Sequence, residues 1–309
     1  MTYKDELRPI DFQQKEPGAA PFPELVYRFR PLNTEYTFEE LRRAVKDNAF
    51  RFSSLESFND PFESSPRYVG SKPKDVKEYI LNFKSNVSGQ FDVFGNPIEI
   101  VAQKYDVTER KAKKLIQPTI LGANKYLEEI KKWHNYIVTD NLALSASISW
   151  DSILMWSHYT NSHNGICMEL EVDSDLMHMF GRSLEPMQYT DERPHIDTIE
   201  LMKYASMPIA TDYPDFFNME ELFATGRRLS TTKSEAWRYE GEERIIIKSP
   251  DGPGYYEVKS LSVKSILLGV NLDTDARKKI RQEFSDFCKV EDLVLHASKY
   301  ELVRVPNEN

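Results

Sequence analysis

The stretch Leu142-Ala-Leu-Ser-Ala-Ser-Ile-Ser149 alternates strictly between apolar and small polar residues. A chain with that period is a β-strand, because successive side chains of a strand point to opposite faces. The same alternation marks Leu25–Arg30 and Gly165–Val172, where Ile166, Met168, Leu170 and Val172 are expected inward. Short strands are also expected at Phe50–Ser53, Tyr255–Val258, Val263–Leu268 and from Leu293 to Val305. Between them lie helical periodicities. Thr37-Phe-Glu-Glu40 reads as a capping box that starts a helix, Asp151–Tyr159 as a short helix, and Phe216–Arg228 as another. Asp273 should cap a helix over Thr274–Phe287. No strand–helix unit repeats, so the expected class is α+β with a mixed, mostly antiparallel sheet rather than a parallel α/β sheet.

Residues 1–23 are polar and dotted with proline, and are expected to form an arm without fixed structure. A single α+β domain is expected over 24–305, with a helical insertion over 72–140 made of Pro73–Ser85, Thr108–Gln117 and a helix from Pro118 to Val138. The insertion is basic between Lys104 and Lys132, with eight basic and four acidic residues. From Glu169 to Glu221 thirteen acidic residues face three basic ones. Overall the chain carries 40 Lys+Arg and 49 Asp+Glu, a formal charge of −9, which argues against a general nucleic-acid binder. Two cysteines, Cys167 and Cys288, make no disulfide framework and point to a reducing cytoplasm. No run reaches the ~20 apolar residues of a membrane span, and no signal peptide is expected.

Three constellations could carry chemistry. In Trp237-x-x-Glu240-x-Glu242-x-Arg244, a strand would set Glu240, Glu242 and Arg244 on one face. That pattern suits either a catalytic carboxylate pair or a satisfied Glu–Arg network. Ser57-Phe-Asn-Asp-Pro-Phe-Glu63 reads as turn chemistry, or as a polar pocket floor built from Asn59, Asp60 and Glu63. Met155-Trp-Ser-His-Tyr159 offers Trp156, His158 and Tyr159 as pocket candidates, with Trp156 and Tyr159 on one helix face. His158 and His163 lack further ligands at metal spacing, so no metal site is expected. Neither a Gly-x-Gly-x-x-Gly, a P-loop nor a Gly-x-Ser-x-Gly is present.

Tyr27-Arg-Phe-Arg30, Ser57–Glu63, Ser147 with Met155–Tyr159 and Gly165-Ile-Cys167, Lys233-x-x-x-Trp237-x-x-Glu240-x-Glu242-x-Arg244 and Ile266-Leu-Leu-Gly269 together resemble the bacterial family called domain of unknown function 2971. That resemblance runs from about Leu25 to Phe287. Ser145 stands where that family often has Cys. The order Arg, Ser-x-Ser, Glu-x-Glu also resembles the ADP-ribosyltransferases, and implies a split-sheet fold and NAD as substrate. Carried over by position, Glu242 would be the catalytic carboxylate, Glu240 its partner orienting the acceptor, and Ser147 or Ser145 the hydroxyl holding Glu242. Arg28, with Arg30 beside it, would bind the NAD phosphates or ribose, and Tyr27 or Trp237 would stack the nicotinamide. Lys233 and Arg244 are further pocket candidates. The resemblance implies a toxin or phage-defence effector acting on a protein or nucleic-acid acceptor. Two alternatives stand beside it. One is a nuclease or phosphodiesterase with Asp60, Glu63, Glu240 and Glu242 around Mg²⁺. The other is a non-catalytic interaction module.

Overall fold

The computed structural model describes residues 23–82, 102–103, 105–114, 141–173, 184–205, 219–248 and 251–305. In chain order the elements are β1 (Leu25–Pro31), α1 (Glu35–Asp47), β2 (Ala49–Ser54), β3 (Arg67–Val69), α2 (Pro73–Asn82), β4 (Asn141–Ser147), α3 (Ile153–Tyr159) and β5 (Gly165–Val172). There follow β6 (Glu185–Pro186), β7 (Gln188–Thr190), β8 (His195–Asp197), α4 (Thr198–Ala205), α5 (Met219–Ser230) and β9 (Thr232–Ser234). The chain ends with β10 (Glu242–Lys248), β11 (Gly254–Glu257), β12 (Leu261–Leu268), α6 (Thr274–Phe284), β13 (Lys289–Leu295) and β14 (Leu302–Val305). The expected arm (1–23) and the helix expected over 118–138 lie outside the described residues, apart from Pro23.

The chain divides into two compact units, Met1–Phe58 with Asp140–Asp191 and Lys233–Asn309, and Asn59–Thr139 with Glu192–Thr232. The first unit is built on a mixed, mostly antiparallel sheet. Its strands run β11-β2-β4-β1-β5-β12-β13-β14, with β10 pairing β4 and β6 pairing β10. The parallel pair is β12–β13, joined by the crossover helix α6 as parallel strands require. The fold is α+β.

Strand β4 explains the sheet's shape. One edge of β4 is taken along its length by β10, from Glu242↔Ser147 to Lys248↔Asn141. The other edge is shared: β1 meets it at Tyr27↔Ser147, β2 at Ser53↔Ala143 and Ser54↔Leu142. The sheet therefore forks between β1 and β2. Backbone carbonyls at a fork have no strand to bond, and leaving them buried without partners is costly. Arg28 fills the gap, donating to Ser145 O (3.2 Å) and Arg51 O (3.2 Å).

Both faces of the sheet are covered. On one, Val26, Leu142, Leu144, Ile166, Met168 and Leu170 pack against Phe38 and Leu41 of α1 and Ile280 and Phe284 of α6. On the other, Tyr27, Phe29 and Cys167 pack with Met155 and Trp156 of α3. The expected alternation of β4 holds through Ala146, but Ile148 lies past the strand and is exposed.

Several expected boundaries shift for local reasons. Helix α1 starts at Glu35, because Thr34 rather than Thr37 is the cap: Thr34 accepts from Thr37 N–H and Thr37 Oγ1 accepts from Thr34 N–H, both at 3.3 Å. Asp273 caps α6 as expected, accepting from Asp275 and Ala276 N–H. The single strand expected over 293–305 is two, β13 and β14, an antiparallel pair with Leu295↔Leu302.

In the second unit β3 pairs in parallel with β8, and Asp197 then caps α4, accepting from Ile199 N–H (2.8 Å) and Glu200 N–H (2.9 Å). Helix α5 is described over Met219–Ser230 and runs two residues past the expected end at Arg228, while the expected start at 216–218 lies outside the described residues. Among the described residues no helix is long and apolar enough to cross a membrane.

Candidate functional site

Directly opposed residues on neighbouring strands point to the same face. The register gives Glu242↔Ser147, Ser147↔Tyr27, Tyr27↔Glu169 and Glu169↔Ser265. A line of polar side chains thus crosses β10, β4, β1, β5 and β12 on the face that also carries Phe29 and Trp156. Neighbours in this line are spaced by the ~4.8 Å between strands. Buried polar groups are tolerated only when bonded, and here partners are supplied along the line. Ser147 Oγ donates to Glu240 O (2.6 Å) and accepts from Ser149 N–H. Ser265 Oγ donates to Glu169 Oε1 (2.9 Å), and Arg304 donates to Glu169 Oε2.

The end of the line is built by a tight turn. Residues Glu235–Glu240 form a 3₁₀ helix capped by Ser234, so Glu240 is not on the strand that its spacing from Glu242 suggests. Gly241 ends the helix with φ 48°, a left-handed conformation that side chains resist, and a Cβ there would meet Ile148 Cγ1 at 2.9 Å. The strand then opens at Glu242, whose N–H donates to Tyr189 Oη (2.7 Å). The turn aims both carboxylates at Lys233 of β9. Lys233 Nζ lies 2.5 Å from Glu240 Oε2 and 3.1 Å from Glu242 Oε2. Arg244 holds Glu242 in a fork, Nε to Oε1 at 2.7 Å and Nη2 to Oε2 at 3.1 Å. Tyr159 donates to Glu240 Oε1. The Trp237 ring lies 4.9 Å from Lys233 Nζ, and the Phe58 ring 4.8 Å from the Arg244 guanidinium.

All four charged groups are buried: Glu240 is 3% exposed, Glu242 7%, Lys233 6% and Arg244 0%. Burial pulls the Glu242 carboxyl upward, but Arg244 and then Lys233 outweigh it and hold it at about 2. For Glu240 burial wins over Lys233 and Tyr159, and its pKa is raised. The two carboxyls, two positions apart in the chain, are thus driven in opposite directions. Burial also raises Tyr189, and burial with Glu169 raises Tyr27.

The residues proposed from sequence divide. Glu240, Glu242, Lys233, Arg244, Tyr159 and Trp237 come together, with Ser147 and Tyr27 in the adjoining line. Ser145 Oγ is buried beside Glu242 and helps lower its pKa, yet no partner stands in hydrogen-bonding geometry with it. Ser147 does not hold the Glu242 carboxylate; it supports the backbone carbonyl of Glu240. Arg28 and Arg30 are on the opposite face from Glu242, because they alternate with Tyr27 and Phe29. Both bind Glu40 of α1, Arg30 at 2.9 Å and Arg28 at 3.5 Å, so neither meets a substrate beside Glu242. Burial, then Arg30, lowers Arg28 to about 9 against the pull of Glu40.

Trp156 is a core residue, 0% exposed, edge-on to Phe29 with centroids 5.3 Å apart and its Nε1 donating to Trp150 O. His158 is exposed, its Nδ1 2.9 Å from Tyr239 Oη. Asn59, Asp60 and Glu63 belong to the second unit, where Asp60 Oδ1 accepts from Phe62 N–H (2.9 Å) and Asp60 O from Glu63 N–H, the expected turn chemistry. Among the described residues no group of three His, Cys, Asp or Glu is placed to hold a metal ion. A hollow of about 390 Å³ lies elsewhere in the first unit, lined by Glu24, Glu171–Asp173, Lys259, Ser260 and Ser262.

Sequence reasoning missed Tyr189, Phe58, Glu169 and Arg304. Glu169 was readable as outward-facing from its alternation with Met168 and Leu170, but both faces of β5 are covered. Tyr189 carries no local signal at all.

A family described as a protein of unknown function (DUF2971) matches residues 155–245, the stretch from α3 to the start of β10, in agreement with the family resemblance of the motifs. No curated protein and no solved structure matches the chain.

Proposed function

We propose that this sheet face transfers ADP-ribose from NAD to an acceptor, with Glu242 as the catalytic carboxylate. The observation that carries the reading is the adjacency of β1, β4 and β10, which sets Tyr27, Ser147 and Glu242 side by side although they lie far apart in the chain. The forked sheet and the opposed shifts of Glu240 and Glu242 support it. Loss of nicotinamide leaves positive charge on the ribose, and a carboxylate held ionised by its neighbours is the type of group that stabilises such charge. Glu240, with Tyr159 on one oxygen, orients the acceptor, a protein or nucleic-acid nucleophile. Tyr27 and Trp237 offer rings for the nicotinamide. With Arg28 on the other face and Arg244 and Lys233 buried against the glutamates, Arg304, its side chain 25% exposed, is the cation of this face open to the NAD phosphates.

The test is NAD binding and cleavage. NAD should raise the melting temperature of the wild type, since a ligand of the native state stabilises it. Glu242→Gln should lower NAD cleavage by about 10²–10³-fold, the usual loss when one pre-positioned electrostatic group is removed. A wild type that neither binds nor cleaves NAD ends the reading.

One observation favours a second reading. The two glutamates, Lys233 and Arg244 sum to zero charge and bond one another inside a single unit. Such a closed network is what a non-catalytic interaction module would hold. In that case NAD leaves the melting temperature unchanged while Glu242→Gln still lowers it.

A further inference from the structure

Glu240, Glu242 and Trp237 converge on one ammonium, that of Lys233, whose side chain is 4% exposed. Carboxylates beside an aromatic face are the chemistry by which proteins recognise organic cations. Arg244 already neutralises Glu242 through two hydrogen bonds, so Lys233 is the charge that balances Glu240. A group taking the place of Lys233 must therefore be positive itself, or a buried carboxylate is left uncompensated. A planar cation could in addition stack on the indole. The buried hydroxyl of Ser145 stands beside Glu242 on the same face and helps hold that carboxylate ionised. Lysine is a suitable internal occupant, since its flexible stem allows the head to move to water at the edge of a site.

We propose that the Glu240–Glu242–Trp237 cage is a cation subsite for an N-alkylpyridinium ring, and that Lys233 fills it with its own ammonium and leaves when the ring enters. This rests on the NAD reading and deepens it, because the nicotinamide ring of NAD is such a cation. One positive charge enters as another departs, so the site stays neutral, and no covalent bond changes.

The probes are N-methylnicotinamide, which carries the ring charge, and nicotinamide, which does not. Neither has ribose or phosphate, so binding is independent of transfer chemistry. By calorimetry Lys233→Met should bind N-methylnicotinamide at least about ten-fold more tightly than wild type, because the variant has no internal competitor and one uncompensated carboxylate. Nicotinamide should bind both proteins alike, and adding Glu240→Gln to Lys233→Met should cancel the gain. A second measurement needs no variant: the rate of acylation of Lys233, followed by mass spectrometry, should rise in wild type with N-methylnicotinamide and not with nicotinamide. Equal affinity of Lys233→Met for the two probes, or unchanged labelling of Lys233, overturns the proposal. NAD cleavage measured alongside separates the two ideas. Cation binding without cleavage retires the transferase reading and keeps the cage; cleavage without charge preference does the reverse.

Discussion

Glu243 offers a test of the structure that is independent of any ligand. It is the second residue of β10, opposite Ala146 and Pro186, and is 9% exposed. Burial raises its carboxyl from an ordinary 4.5 to about 7, with Glu185 adding to the rise. In the unfolded chain the proton leaves near 4.5, in the folded protein near 7, so folding takes up a proton between those values. Because the folded value is the higher one, stability from this group is greatest below pH 4.5, falls as pH rises towards 7, and stays at the lower level above. At about 1.4 kcal/mol per pH unit, the gap between the two values amounts to at most about 3 kcal/mol. Glu243→Gln keeps the shape and removes the titration. Urea unfolding followed by tryptophan fluorescence at a series of pH values should therefore show the variant gaining on wild type as pH rises, by up to about 3 kcal/mol at pH 8. Stability curves that run parallel from pH 5 to pH 8 would refute the burial of an unpaired carboxyl at this position.

Two further outcomes follow from the packing. Arg28→Met should cost about 1–3 kcal/mol in urea unfolding, the usual penalty for leaving a buried acceptor unsatisfied, since the two fork carbonyls lose their donor while Glu40 keeps Arg30. NAD turnover per folded molecule should be unchanged, because Arg28 is on the face away from Glu242. Trp156→Ala should cost about 3–5 kcal/mol through the cavity left against Phe29, again measured by urea unfolding.

Much of the frame is visible in the sequence, and the reasons are local. Alternation in Leu142–Ala146 marks β4 because both of its faces are sorted by side-chain type. Asp273 announces α6 because a cap is a contact between near neighbours. Other readings fail where two local signals compete. Thr34 and Thr37 can each cap α1, and only the backbone conformation of Thr34 selects it. Glu240-x-Glu242 suggests a strand face, yet Gly241 turns the chain left-handed and puts Glu240 in a helix instead. The site divides in the same way. The spacing of Lys233, Trp237, Glu240, Glu242 and Arg244 was legible because one short segment holds them all, and Tyr159 stood out within its own motif, whereas Phe58 and Tyr189 reach the site from distant parts of the chain.

The role of an arginine is the clearest case. Tyr27-Arg-Phe-Arg30 shows by itself that Tyr27 and Arg28 must point opposite ways. It does not show which way leads to Glu242. That choice is made by β4, which sets Ser147 against Tyr27 and leaves Ser145 O at a fork for Arg28 to bond. Element type follows from neighbours within a few residues; the face that becomes a site follows from register between distant strands, and register is settled only when the two sheet faces pack.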